Sequence, residues 1–123
     1  MEHLATVLRG LIAAHELFFL LTVLMMLDIV TGVLAAAIER QLSSNVSWNK
    51  MTRKIVTLML VILAILVEPL AQGVPVEALA CMFYIVTEGM SILENAGRAG
   101  VPLPPVLKDV LVRLRERPPN ATS

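Results

Sequence analysis

Residues 17–38 read LFFLLTVLMMLDIVTGVLAAAI, a run of 22 residues in which Asp28 is the only charged side chain. The hydrocarbon core of a bilayer is about 30 Å thick, and an α-helix of about 20 residues crosses it. The run therefore predicts a transmembrane helix. Its polar members Thr22, Asp28, Thr31 and Gly32 then need an explanation.

The composition of the whole chain supports a membrane protein. Hydrophobic residues make up 57% of the 123 residues and charged residues 16%, against about 25% charged in a typical soluble domain. A domain this small has too much surface to bury so much aliphatic mass. The formal net charge is zero and there is one cysteine. These values argue against a disordered chain, a nucleic-acid-binding protein and a disulfide or cysteine-rich metal scaffold.

Two more apolar runs follow the first. Residues 51–68 and 76–95 each approach the length of a bilayer crossing. We therefore predict an all-α integral membrane protein with about three transmembrane helices, at residues 17–38, 51–68 and 76–95. Residues 1–16 form an N-terminal arm and residues 96–123 a tail, all within a single membrane domain.

The N-terminal arm has apolar residues at helical spacing from Leu4 to Ile12. A continuous helix from Leu4 to Ile38 would be about 52 Å long, which exceeds one crossing. The pattern predicts an amphipathic helix in the membrane interface. The alternative is a helix that projects past the membrane or bends near Gly10.

The tail predicts a short amphipathic helix after Pro104-Pro105. Its apolar face begins at Val106, and its basic residues, largely outside that face, are Lys108, Arg113, Arg115 and Arg117. Such a helix either binds lipid headgroups or packs against a neighbouring subunit.

Basic residues are unevenly distributed among the connections. Residues 39–54 and the tail hold nearly all of them, whereas residues 68–76 hold none. Positively charged flanks stay cytoplasmic, so the middle connection and the C-terminus are predicted inside the cell and the N-terminus outside. Arg53 and Lys54 are predicted to extend to the membrane surface.

Polar side chains in the predicted third span fall on one helical face, since their offsets alternate between four and three. They are Glu77, Cys81, Tyr84, Glu88, Ser91 and Asn95. A second stripe of polar and small residues runs along the first span: Asp28, Thr31, Gly32, Ala35, Ala36 and Glu39. Small residues at this spacing allow helices to approach closely.

A charged group at bilayer depth must face protein or water. A monomer of three helices can bury little polar surface, so the two stripes favour self-association with these faces turned inward. Three interpretations remain open for Asp28 and Glu88. They are neutral groups that hydrogen-bond between helices, they line a water-filled path between copies, or they relay protons or cations.

Catalytic motifs are missing from the pattern of residues. The two histidines, His3 and His15, lie in the N-terminal arm, and neither a nucleophile–base set nor a phosphate-binding glycine loop is apparent. We therefore expect no enzyme activity, no cofactor and no metal site.

Several motifs resemble those of the phage-lysis and toxin-secretion holin family. Residues 84–104 read YIVTEGMSILENAGRAGVPLP, similar to the family's Glu-x-x-Ser-Ile-x-Glu-Asn segment and its Gly-x-Pro-x-Pro turn. Residues 28–32, DIVTG, are similar to its first-span signature. Ser43-Ser44 followed by Arg53-Lys54 resembles its basic middle loop.

The resemblance implies a protein that oligomerises in the cytoplasmic membrane of a bacterium or phage-infected host. Its holes would release an endolysin or another large protein, so its partners would be its own copies, the lipid bilayer and the released protein, with no nucleic acid. The signature residues carried over are Asp28, Thr31, Gly32, Glu88, Ser91, Glu94 and Asn95, with roles in helix packing and the polar face. The competing functions are a small proton-coupled transporter and a structural membrane subunit whose basic tail binds a cytoplasmic partner.

Overall fold

Five α-helices build the chain in a computed structural model, which describes residues 1–41 and 44–116, without the side chains of residues 11–13 and 44–47. The helices are α1 (Glu2–Ala14), α2 (Glu16–Ile38), α3 (Ser44–Val67), α4 (Val76–Arg98) and α5 (Pro105–Glu116), with a short 3-10 turn at Glu68–Leu70. The described residues contain no strand, which confirms the all-α prediction. Ser43 and Arg117 lie outside the described residues.

Helices α2, α3 and α4 form a bundle in which α2 and α4 run parallel. Their direction follows from contacts at both ends, where His15 meets Glu77 and Glu39 meets Arg98. Helix α3 runs antiparallel to both. The core between the three helices consists of apolar residues: Leu21, Met25, Val61, Cys81 and Ile85.

Among the described residues, two helices, α2 and α4, are long and apolar enough to cross a membrane, rather than the three that the sequence predicted. Helix α3 is as long as the others, with 24 residues. Its apolar segment begins only at Ile55, because Lys50, Arg53 and Lys54 occupy the preceding turns. Whether α3 crosses the membrane therefore depends on whether these basic side chains find polar partners or reach the headgroups.

The helix boundaries differ from the predicted ones at two places. Helix α3 begins at Ser44, not near residue 51, because the polar segment before Met51 contains no proline or glycine to stop it. The N-terminal arm breaks at His15, whose backbone is non-helical (φ −122°, ψ 39°), and not at Gly10. Gly10 lies within α1, where nothing would contact a Cβ atom added to it.

Helix α5 folds back along α4. Gly100 takes a positive φ of 85° directly after α4, and the Val101 N–H donates to the Ala96 carbonyl, a common glycine-terminated helix end. A Cβ atom added to Gly97 would lie 3.8 Å from Leu103, and one added to Gly89 would lie 3.0 Å from Leu111. Helix α5 therefore runs antiparallel to α4.

The outer surface of the bundle is strongly apolar. On α2, the side chains of Val23, Met26 and Val30 are about half exposed or more, and on α3 Met59 and Leu66 are more than 60% exposed. Soluble monomers seldom present such a continuous apolar surface. This surface is suited to contact with lipid or with other membrane helices.

Candidate functional site

A buried ion cluster joins the three helices of the bundle. The Lys54 ammonium on α3 donates to Asp28 Oδ2 on α2 at 2.5 Å and to Glu88 Oε2 on α4 at 2.7 Å. The Lys54 side chain is 13% exposed and each carboxylate side chain 10%. Charge-assisted bonds of this kind are stronger than neutral ones, particularly where water is scarce. One cation thus links both carboxylates that the sequence placed at bilayer depth.

Neutral donors from α4 complete the coordination of Asp28. Ser91 Oγ donates to Asp28 Oδ1 at 2.8 Å, and Asn95 Nδ2 donates to the same oxygen at 2.8 Å. The Asn95 amide also lies within hydrogen-bond distance of the Asp28 carbonyl and of Thr31 Oγ1. Among the described residues, every buried side-chain nitrogen and oxygen has a partner. The cluster is therefore a satisfied network, the condition under which buried charge is tolerated.

The cluster contains two carboxylates and one ammonium. It therefore carries either one excess negative charge or one additional proton. Towards the N-terminal end of α4 it is sealed by the apolar core around Val61 and Cys81, both 0% exposed. Its chemistry fits helix locking and proton holding; the described residues offer no cluster of His, Cys, Asp and Glu suited to a metal.

Two further polar contacts close the ends of the bundle. At one end Arg98 Nε donates to Glu39 Oε1 at 2.9 Å. At the other end His15 Nδ1 lies 2.6 Å from Glu77 Oε1. The Glu77 N–H donates to Glu68 Oε1 at 2.9 Å, so that Glu68 caps the start of α4. The contacts of Glu77 with His15 and Glu68 lie beside an open cleft at the junction of α1 and α2.

Five of the eleven predicted polar-face residues meet within a single chain. Asp28, Thr31, Glu88, Ser91 and Asn95 belong to the ion cluster and its hydrogen bonds. The others lie elsewhere: Gly32 faces the Asn95 side chain, Ala35 is buried, Ala36 and Tyr84 are partly buried, Glu77 lies at the far end of α4, and Glu94 is exposed. The polar groups of the cluster thus need no second copy to satisfy them. An interface built on them would require the chain to open.

The position of Lys54 corrects the sequence prediction. We predicted its ammonium at the membrane surface, whereas the structure turns it into the bundle, where two carboxylates attract it. A signal for this was present: Lys54, Leu58, Val61 and Ile65 share one face of α3 at offsets of four, three and four. The last three pack in or against the core. Arg53, one residue away, is exposed.

The described basic residues of α5 are exposed, and their helix lies along α4 rather than beyond its end. Lys108, Arg113 and Arg115 are exposed on a helix whose Leu111 side chain packs on Gly89 of α4. An arginine or lysine at the bilayer centre costs about 2.5–3.5 kcal/mol on insertion scales. Arg117 lies outside the described residues.

Comparison with known proteins places the chain in a family. The model of the bacteriophage holin family matches residues 6–116. The chain is 37% identical over 105 residues to an uncharacterised protein of Halalkalibacterium halodurans, covering 80% of this chain and 78% of that protein. It is 37% identical over 93 residues to a probable holin of Bacillus phage phi105, covering 75% and 69% of the two chains.

An uncharacterised 14.9 kDa protein of Clostridium perfringens is 34% identical over 99 residues, covering 79% of this chain and 75% of its own length. No solved structure matches the chain. The chain belongs to the bacteriophage holin family. This is a family of membrane proteins and not of enzymes, and the resemblance drawn from the third-span motif is confirmed.

Proposed function

We propose that this chain crosses the bacterial cytoplasmic membrane three times and that its copies assemble into holes. Membership of the holin family carries the proposal, together with a bundle whose outer surface is apolar. The holes would let an endolysin, or another large protein, leave the cytoplasm. The role is holin-like and non-enzymatic.

The third crossing rests on α3. This helix has 24 residues, against 23 each in α2 and α4. It runs antiparallel to both of them. Lys54 is neutralised inside the bundle by Asp28 and Glu88, so its charge does not oppose insertion as a lipid-facing lysine would. Lys50 lies one turn nearer the start of α3, where a long side chain can reach headgroups.

The orientation follows from the basic residues. The connection between α2 and α3 and the tail after α4 carry them, whereas residues 68–76 between α3 and α4 carry none. The positive-inside rule then puts the tail in the cytoplasm and α1 on the outer side. The domain layout of an outer arm, three spans and a cytoplasmic tail is part of the same proposal.

A hole large enough for a protein must lie between copies. Within one described chain the polar groups of the core bond one another, and the remaining core is filled by apolar side chains. Membrane helices associate through close packing and polar contacts, not through the hydrophobic effect. Homo-oligomerisation is therefore an essential step of the proposed function.

Controlled expression in a bacterium tests the proposal. We expect a delayed collapse of membrane potential, followed by lysis only when an endolysin is co-expressed. The control is Val30→Asp, which should insert poorly and leave the membrane potential intact. Val30 lies on the exposed side of α2 near its middle, and an aspartate there opposes insertion. Cells that keep their potential and grow normally at high levels of inserted protein would refute the proposal.

Small proton-coupled transport is the second candidate, and the ion cluster is the observation that favours it. The pair of carboxylates around Lys54 can exchange one proton for one negative charge. Transport predicts saturable uptake or efflux that Glu88→Gln abolishes while the protein still inserts and assembles. Release of folded proteins from cells or vesicles would exclude it, because a coupled transporter never opens a hole of that width.

A further inference from the structure

Helix α5 lies beside the middle of the bundle, and not at its end. Leu103 packs on Gly97 and Leu111 packs on Gly89, so α5 follows α4 back for about eight residues, or about 12 Å. Gly89 adjoins Glu88, which shares the ion cluster with Asp28. Because Asp28 lies near the middle of α2, Leu111 lies at about the mid-height of the longest apolar helix.

Charged residues of α5 therefore lie at bilayer depth. Lys108 precedes Leu111 by less than one turn, while Arg113 and Arg115 follow it and lie still farther from the cytoplasmic end. All three side chains are exposed. Arginine side chains at this depth cannot remain in contact with hydrocarbon; they require water or polar partners.

The other side of α5 is apolar and also exposed. Val106 is 73% exposed, and Leu107, Val110 and Leu114 are between 41% and 48% exposed. Only Leu111 and Val112 are partly buried. Docked α5 thus presents an apolar side to lipid or a neighbouring copy and a charged side that needs water, made of Lys108, Asp109, Arg113, Arg115 and Glu116.

We propose that α5, docked along α4, forms the water-facing wall of the hole. The inference rests on the proposed hole formation and adds which residues line the lumen, namely the charged side of α5: Lys108, Asp109, Arg113, Arg115 and Glu116. The polar stripe of α4 does not line it, because that stripe is closed by Lys54. Three basic and two acidic side chains give this lining a mixed character, so the charge of any one of them should influence which ions pass.

Docking and opening are then linked. Without a lumen, α5 is more stable in the headgroup region, where an amphipathic basic helix binds anionic lipid. With a lumen, the same helix can occupy the Gly89 face of α4. A change that prevents α5 from docking on α4 should therefore keep the hole closed.

Cysteine accessibility in the full chain tests the wall directly. In a Cys81→Ala background, which removes the single native thiol, Arg113→Cys is reconstituted in planar bilayers. A cationic and an anionic methanethiosulfonate of similar size are added, in separate experiments, on the side opposite the tail. Val23→Cys is the control. Val23 lies at a depth similar to that of Arg113, but it is exposed on the apolar outer surface of α2.

We expect both reagents to modify Arg113→Cys once the bilayer conducts. The cationic reagent should make the hole more selective for anions and the anionic reagent more selective for cations, seen as opposite shifts in reversal potential under a salt gradient. Val23→Cys should show neither shift. A conducting bilayer in which Arg113→Cys stays unmodified would overturn the assignment of the wall while leaving hole formation intact. A parent chain that never conducts would overturn the proposed function, and the wall with it.

Gly89→Leu gives an independent test. A Cβ atom at this position already lies 3.0 Å from Leu111, so the larger side chain should prevent docking of α5. We expect insertion to be retained and conductance to be lost. Gly10→Leu, in open space on α1, should conduct as the parent does. Unchanged conductance of Gly89→Leu would contradict the inference.

Discussion

Replacing Lys54 by methionine should destabilise the bundle more than any comparable change on its surface. The substitution keeps an unbranched apolar side chain of similar length but removes the cation shared by Asp28 and Glu88. Ser91 and Asn95 would still donate to Asp28. Glu88 would lose the one partner that the described structure gives its carboxylate.

The free-energy cost of Lys54→Met follows from the burial of the ion cluster. Removing one partner of a buried ion pair costs about 3–5 kcal/mol, because an uncompensated charge remains inside. The Lys54 side chain is only 13% exposed, so screening by solvent reduces this little. At about 1.4 kcal/mol per factor of ten, opening of the bundle should become about 100- to 4000-fold more frequent.

The single cysteine offers the assay. Cys81 is 0% exposed and packs in the core with Leu21 and Val61, so a maleimide reaches it only when the helices separate. We would measure the labelling rate in detergent micelles, under conditions in which the open fraction limits the reaction. The Lys54→Met rate should exceed the parent rate by the factor given above.

Two comparison proteins separate lost charge pairing from general damage. Lys50→Met removes an exposed lysine one turn away on α3, and should change the labelling rate little. The triple variant Lys54→Met, Asp28→Asn, Glu88→Gln removes every charge of the cluster and should recover much of the loss. The reasoning is refuted if Lys54→Met and Lys50→Met label at the same rate.

Other substitutions test the packing around this cluster and the junction of the first two helices. Gly32→Leu should force the Asn95 side chain away, since a Cβ atom alone would lie 3.4 Å from its amide nitrogen. We expect a cost of about 1–3 kcal/mol, seen as faster Cys81 labelling; a parent-like rate would show that α2 and α4 do not depend on this close approach. His15→Ala should break the 2.6 Å contact with Glu77 and speed amide hydrogen exchange in α1 without altering Cys81 labelling. Unchanged exchange in α1 would argue against a tether at this junction.

Much of the bundle could be predicted because its signals are local. The apolar run around Asp28 and the polar face from Glu77 to Asn95 follow from periodicity alone, and α2 and α4 lie within a few residues of their predicted bounds. Periodicity also put Asp28, Ser91 and Asn95 on faces that must avoid lipid. The structure brings these three side chains together.

Lys54, the partner of the Asp28 and Glu88 carboxylates, could not be identified from charge counting alone. Lys54 belongs to a basic segment, and neighbouring Arg53 does remain exposed. Which of the two turns inward depends on the register of α3 against α2 and α4, a property of three helices together. The fold-back of α5 is likewise non-local, although Gly89 and Gly97 match the spacing of Leu103 and Leu111.

Release of size-graded dextrans from liposomes is the most direct test that copies of this chain open protein-sized holes. Purified full-length chain would be reconstituted with small and enzyme-sized dextrans trapped inside, and release would be followed against protein density in the membrane. We predict that both sizes escape together once a threshold density is reached, because the hole lies between copies. Release of only small solutes, or retention of both at every density, would contradict the account.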